Sequence, residues 1–177
     1  EAIISAAGVS RRTFYDHYAN KEDAFLACYD QLADRLQSAV AESCEGQESI
    51  AARAEAGLTA VMVHFAQDPA GADVWLVQSR AAGATASDRL DSAMRTFAAT
   101  IDGWANTLPK RARPPELMGM TLIGGIAEAA RMQLAQDQPE QLVSLVPDML
   151  YLLLLPYQGD EAARAARTAA RRRVSTR

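Results

Sequence analysis

Between Ser87 and Leu108 the apolar residues Leu90, Met94, Phe97, Ile101, Trp104 and Leu108 recur at alternating spacings of four and three. A strand cannot use that period. Its side chains change face at every residue, whereas on a helix positions three and four apart share one face. The same rhythm returns along most of the 177 residues, and clusters of the β-branched and aromatic residues that favour strands are scarce. Alanine, the strongest helix former, is abundant. The sequence therefore predicts an all-α protein.

Breakers divide the chain into segments. Residues 1–7 read as a short helix stopped at Gly8. Ser10 can cap a second short helix reaching about Tyr18, and Asn20 a long third one, with Glu22 and Asp23 in its first turn where the helix dipole favours negative charge. Phe25, Tyr29, Leu32, Leu36 and Val40 make one apolar stripe along that third helix. A helix from about Glu48 to Gln67 carries Ile50, Ala54, Leu58, Val61 and Phe65 on one face, and Asp68-Pro69 opens another that Gly83 closes. "PKRARPP" is a loop. Helices from about Pro115 to Ala135 and from Pro139 to Tyr157 follow, with a kink expected at Pro147. The organisation expected is a reading module at 1–20, a larger helical domain at 21–159, and a basic helix or tail at 160–177.

Composition limits the functions open to this chain. Apolar residues make up 49%, enough for a real core, and the net charge of −4 confines any nucleic-acid contact to a local patch. Cys28 and Cys44 fall on one predicted helix, about 24 Å apart at 1.5 Å per residue, so they cannot form a disulfide. With no signal-peptide pattern, a reducing cytoplasm is expected. The stretch "LVSLVPDMLYLLLLP" is too short to span a bilayer and reads as a buried helix, so no membrane partner is expected. The last residues carry Arg164, Arg167, Arg171, Arg172, Arg173 and Arg177 against Asp160 and Glu161, a solvated helix or a basic tail.

The densest chemistry lies in "GVSRRTFYDHYANKED", residues 8–23. A short helix, a turn at "AGV" and a second helix from Ser10 make a helix-turn-helix, with Gly8 supplying the left-handed backbone of the turn and Val9 and Phe14 filling the angle. Ser10, Arg11, Arg12 and Thr13 then occupy the tip of the second helix, where a recognition helix carries its base-reading groups. Arginine can bond guanine O6 and N7 in pairs, and the Thr13 methyl can touch thymine. Tyr15, His17 and Lys21 suit phosphates, Lys21 at a helix N-terminus whose free N–H groups also favour an anion.

"ISAAGVSRRTFYDHYANKEDAF" resembles the signature of the TetR family of bacterial transcriptional regulators, I-A-x-x-A-G-V-S-x-x-T-x-Y-x-H-F-x-x-K-E-x-L, over residues 3–25. Ile4, Tyr18 and Phe25 depart from it. The resemblance implies DNA contact at Ser10, Arg11, Arg12, Thr13, Tyr15, His17 and Lys21, and a further helix ahead of the motif that is missing from this sequence. It also implies a ligand-sensing domain and a homodimer built from the last two long helices. Gly124, Gly125, Met132, Leu142, Met149, Leu150 and Leu153 are the interface residues expected on those helices.

For a pocket taking a small apolar or amphipathic effector the candidates are Met62, Phe65, Trp75, Met94, Phe97, Trp104, Met118 and Leu122, since methionines and aromatics suit an adaptable apolar cavity. His64 reads as a satisfied or surface residue. No nucleophile–base pair, glycine-rich phosphate loop or metal-spaced cluster appears, so neither an enzyme nor a cofactor is expected. The expected function is a ligand-responsive repressor that binds palindromic double-stranded DNA as a homodimer. The alternative is an all-helical small-molecule carrier or protein-interaction module with a structural N-terminal corner.

Overall fold

The computed structural model describes residues 7–174, and among them every regular element is a helix. The short helix expected at 1–7 lies, apart from Ala7, outside the described residues. Helix α1 (Arg11–His17) is capped by Ser10, whose hydroxyl accepts from the Thr13 N–H. Helix α2 (Lys21–Cys44) is capped by Asn20, and the Asp23 carboxylate in its first turn accepts in return from the Ala19 N–H at 3.0 Å. These reciprocal bonds satisfy donors that a helix N-terminus would otherwise leave open.

A tight corner with Gly46 at φ 72° turns the chain into α3 (Ile50–Gln67), which packs along α2 more extensively than any other helix pair. Asp68 caps α4 (Pro69–Asp73), which runs through a π-helical turn (Val74–Gln78) into α5 (Ser79–Ala81). Widening the helix there by one residue per turn lets both Trp75 and Leu76 enter the core. Gly83, at φ 117°, breaks the chain before α6 (Ala84–Asp102).

The helix expected to reach Leu108 stops at Asp102 and tightens into a 3-10 segment, Gly103–Thr107. The expected loop holds a single 3-10 turn, Lys110–Ala112, and α7 (Met118–Leu134) starts just after it. Pro139–Leu145 is 3-10 rather than α. Pro147 sits in the first turn of α8 (Val146–Val174), where its missing N–H costs nothing, so it makes no kink. The break comes instead at Gly159, whose φ of 80° lies in the left-handed region.

That break folds 160–174 back along 146–158. Ala163 and Ala170 are buried, small enough for close approach. Arg167 and Arg171 both reach Asp148, at 2.6 and 3.1 Å, and the guanidiniums of Arg164 and Arg167 lie over the Tyr151 ring. Tyr151 donates to Asp160 at 2.7 Å, and Arg173 reaches Glu55 on α3. The basic segment is therefore docked on its own chain. The stretch 139–174 is long and apolar enough by composition to cross a membrane. Its apolar half, 146–158, is only about 20 Å long before the reversal, against a hydrocarbon core of about 30 Å. Its buried face, Met149, Leu150, Leu153, Leu154 and Tyr157, joins the core with Tyr29, Leu36, Met62, Phe65 and Leu90.

Candidate nucleic-acid interface and internal cavity

Gly8 enters the turn at φ 64°, and Ser10 then starts α1. The Ser10 hydroxyl has two local bonds, from the Thr13 N–H at 3.0 Å and with the Thr13 hydroxyl at 2.9 Å, so both hydroxyls stiffen the first turn. Phe14 is the one buried residue of α1; Tyr15 packs edge-on to it at 5.3 Å, and Tyr18 meets it at 5.4 Å. Val9, expected beside Phe14 in the angle, is exposed.

All seven residues expected to meet DNA are exposed. Ser10, Arg11, Arg12 and Thr13 sit on the first turn of α1, Tyr15 and His17 farther along it, and Lys21 opens α2. Two arginines, a lysine and an imidazole are therefore exposed along α1 and at the start of α2, with Asp16, Glu22 and Asp23 exposed among them. Such donors suit base edges and phosphate oxygens.

The other end of α2 borders an apolar space that is partly open to the surface. A cavity of about 190 Å³ lies between α2, α3, the π-helical turn, α6, α7 and the 146–158 helix. Six of the eight expected residues line it: Met62, Phe65, Trp75, Met94, Phe97 and Trp104. Met118 and Leu122 do not. The α7 face that reaches the cavity is Ile123, Ile126 and Ala127, and Leu122, one position before Ile123, is turned about 100° away. Val40, Gly57 and Leu58 were not among the candidates; the α2 stripe and a glycine in α3 were the available signals. His64 is half-buried beside Phe65 and is not part of the wall.

Two buried donors near this cavity lack a partner among the described residues, Trp75 Nε1 and the Tyr29 hydroxyl. Their rings stack at 6.4 Å with planes 10° apart. Burial, reinforced by Asp30, pushes the Tyr29 hydroxyl up to about 12, although Arg89 opposes it.

At the opposite wall Trp104 meets Tyr157 edge-on at 5.9 Å. The Tyr157 hydroxyl donates to Asp102 at 3.0 Å, and the Gly119 N–H donates to the same carboxylate oxygen at 3.0 Å. Burial and the Asp102 bond both push the Tyr157 hydroxyl well above its ordinary value. The cavity wall, α6, α7 and α8 thus share one carboxylate.

The expected interface residues divide. Leu142, Met149, Leu150 and Leu153 are buried in the protomer's own core against α3 and neighbouring segments, so they are unavailable to a second copy. Gly124, Gly125 and Met132 face outward on α7, with open space where a Cβ would stand on either glycine. Leu117 at 75% exposure, Met120, Leu152 at 56% and Leu155 are further exposed apolar residues on these two helices. Among the described residues no three His, Cys, Asp or Glu side chains group as metal ligands.

Residues 1–28 match the family model described as bacterial regulatory proteins, tetR family. No curated protein and no solved structure matches the chain.

Proposed function

We propose, from the premise that this chain belongs to the TetR family of bacterial regulatory proteins, that it is a ligand-responsive repressor acting as a homodimer in the cytoplasm. DNA binding and transcriptional regulation follow from the family; effector response, repression and dimer are our reading. The observation that carries it is the exposed donor cluster from Ser10 to Lys21, rigidly capped over a buried Phe14 and joined by α2 to an apolar cavity. Arg11 and Arg12 read base edges; Tyr15, His17 and Lys21 hold phosphates.

The dimer forms through the exposed apolar stripe of α7, with Gly124 and Gly125 permitting close approach, together with Leu152 and Leu155. It sets two recognition helices one helical turn apart, about 34–36 Å, on a palindrome. An effector in the cavity tilts α2 and changes that spacing. It does so by binding the splayed state more tightly than the DNA-competent one.

Selection of bound duplexes from a random library at moderate salt tests this reading. The expected result is an enriched palindrome with half-sites one turn apart, and a steep fall of affinity with salt. No enrichment by protein refolded free of ligand would support a carrier or interaction module instead.

A further inference from the structure

We propose that the cleft between α5, α6 and α7 is a second binding site, separate from the apolar cavity, for a small organic carboxylate whose head meets Arg80 and Arg95. It goes beyond the effector reading above, since it does not depend on what fills the cavity. The cleft has a volume of about 360 Å³, within the range of small-molecule sites.

Its floor is apolar and its sides are charged. Leu76 of the π-helical turn and Met94 of α6 are buried at its base, and Met120 and Ala127 of α7 add to it. Leu76, Met94 and Ala127 also line the cavity, so the two spaces share that wall. Around this floor stand arginines from three helices, Arg80 on α5, Arg95 on α6 and Arg131 on α7, with the carboxylates of Asp91 and Glu128.

The charge balance selects the ligand. Arg131 donates twice to Glu128, at 2.8 and 2.6 Å, so these two neutralise each other. Arg80 and Arg95 make no hydrogen bond or ion pair among the described residues. The Arg80 charge nevertheless reaches into the cleft: Arg131 through its hydrogen bond, and Arg80 through its charge, hold the Glu128 carboxyl below its ordinary value. Half-buried Asp91 is the carboxylate left to set against Arg80 and Arg95, so one positive charge is in excess.

One excess charge suits a singly charged acid. A guanidinium fork matches a carboxylate edge with two parallel N–H···O bonds, and the floor takes an apolar body. A phosphate monoester carries about 1.5–2 negative charges near neutral pH, and Asp91 opposes the surplus. A neutral molecule leaves both guanidiniums unmatched, and an amine meets charge of its own sign. The cleft opens at the edge of the surface proposed for a second protomer. Met120, Gly124, Ala127 and Arg131 share one face of α7, from which Gly125 and Met132 are turned about 100°.

The test is calorimetric titration of the intact protein with benzoate, phenyl phosphate, benzyl alcohol and benzylamine. Benzoate is expected to bind about ten-fold or more tightly than benzyl alcohol, as hydrogen bonds between charged groups allow, and benzylamine least. In the double variant Arg80→Gln/Arg95→Gln that preference should shrink to within about two-fold. Location is read from isotope-labelled methionine methyls in the wild type, which needs no variant to fold. Met120 lines the cleft and not the cavity, whereas Met62 lines the cavity and not the cleft. Benzoate should move the Met120 resonance and leave that of Met62 in place. A shift at Met62 in place of Met120, a preference surviving in the double variant, tightest binding of phenyl phosphate or benzylamine, or no binding of benzoate would each overturn the proposal. The effector reading falls separately, if no ligand of the cavity lowers operator affinity.

Discussion

In residues 8–21 one ring, Phe14, is buried while Tyr15, at 62% exposure, and His17 stand in solvent. In the body around the cavity the arrangement is reversed. Tyr29, Phe65 and Trp75 are buried together, and the polar atoms they carry are taken inside with them. The first region keeps polar side chains at the surface of a short capped helix and of the start of the next one. The second hides its own, and every wall residue depends on several elements meeting. Damage should therefore separate: variants in the first region change what is bound, and variants in the second change whether the fold persists.

The largest effect expected is in the first region. Replacing Arg11 and Arg12 together with alanine removes the two groups proposed to read base edges, a contact worth about 1–3 kcal/mol each. Operator preference over random duplex should collapse, while thermal unfolding and oligomeric mass stay as in the wild type. A parallel loss of stability would break the comparison. In the body, Leu90 is wholly buried, and Leu90→Ala should cost about 2–5 kcal/mol in urea unfolding. Its residual folded fraction should keep the operator preference.

Gly119→Ala should cost about 1–3 kcal/mol, because the new Cβ would stand 2.6 Å from both Asp102 oxygens. Moving that carboxylate would part it from the Gly119 N–H and Tyr157. Tyr157→Phe removes only one of those bonds and should be milder.

The smallest effect concerns the docked terminal helix. Arg167, with help from Arg171, holds the Asp148 carboxyl below its ordinary value. The folded form thus binds that proton less readily than the unfolded one. The contribution is complete above the usual aspartate range near pH 4 and fades as pH falls through the lower folded value. Asp148 is largely exposed, so screening reduces the gain to about half a kcal/mol or less. Asp148→Asn should flatten that part of the stability–pH curve, and added salt should do the same to the wild type.

The two regions also differed in how far the sequence could be read. The exposure of the seven side chains expected at 10–21 is legible because fixed offsets on capped helices set their directions without help from the rest of the chain. For the body, periodicity gave the all-α class and most helix positions, and it picked out Met62, Phe65, Trp75, Met94, Phe97 and Trp104, which share a wall. A stripe, however, shows that a face is buried and not what buries it. Leu142, Met149, Leu150 and Leu153 carry the same signal whether a second copy or their own protomer covers them. Met118 and Leu122 fall outside that wall for a narrower reason: α7 has apolar residues on several faces, so spacing alone does not choose one. The return of the terminal arginines onto Asp148 depends on the single left-handed residue Gly159, a long-range consequence that charge counting along the chain does not reveal.

Asp102 fastens the start of α7 to the end of α6 at one point, through the Gly119 N–H, and a side chain at 119 would leave no room for that bond. Such a fastening works as a pivot. Rotation of α7 about its own beginning keeps those bonds, and rotation magnifies with distance. Ala127, on the cavity wall, lies about 12 Å along the helix from Gly119, and Met132, on the outward face, about 20 Å. A displacement of about 1 Å at the wall then becomes about 1.6 Å at Met132. The helix is then a lever whose long arm ends on the exposed face proposed above for a second protomer.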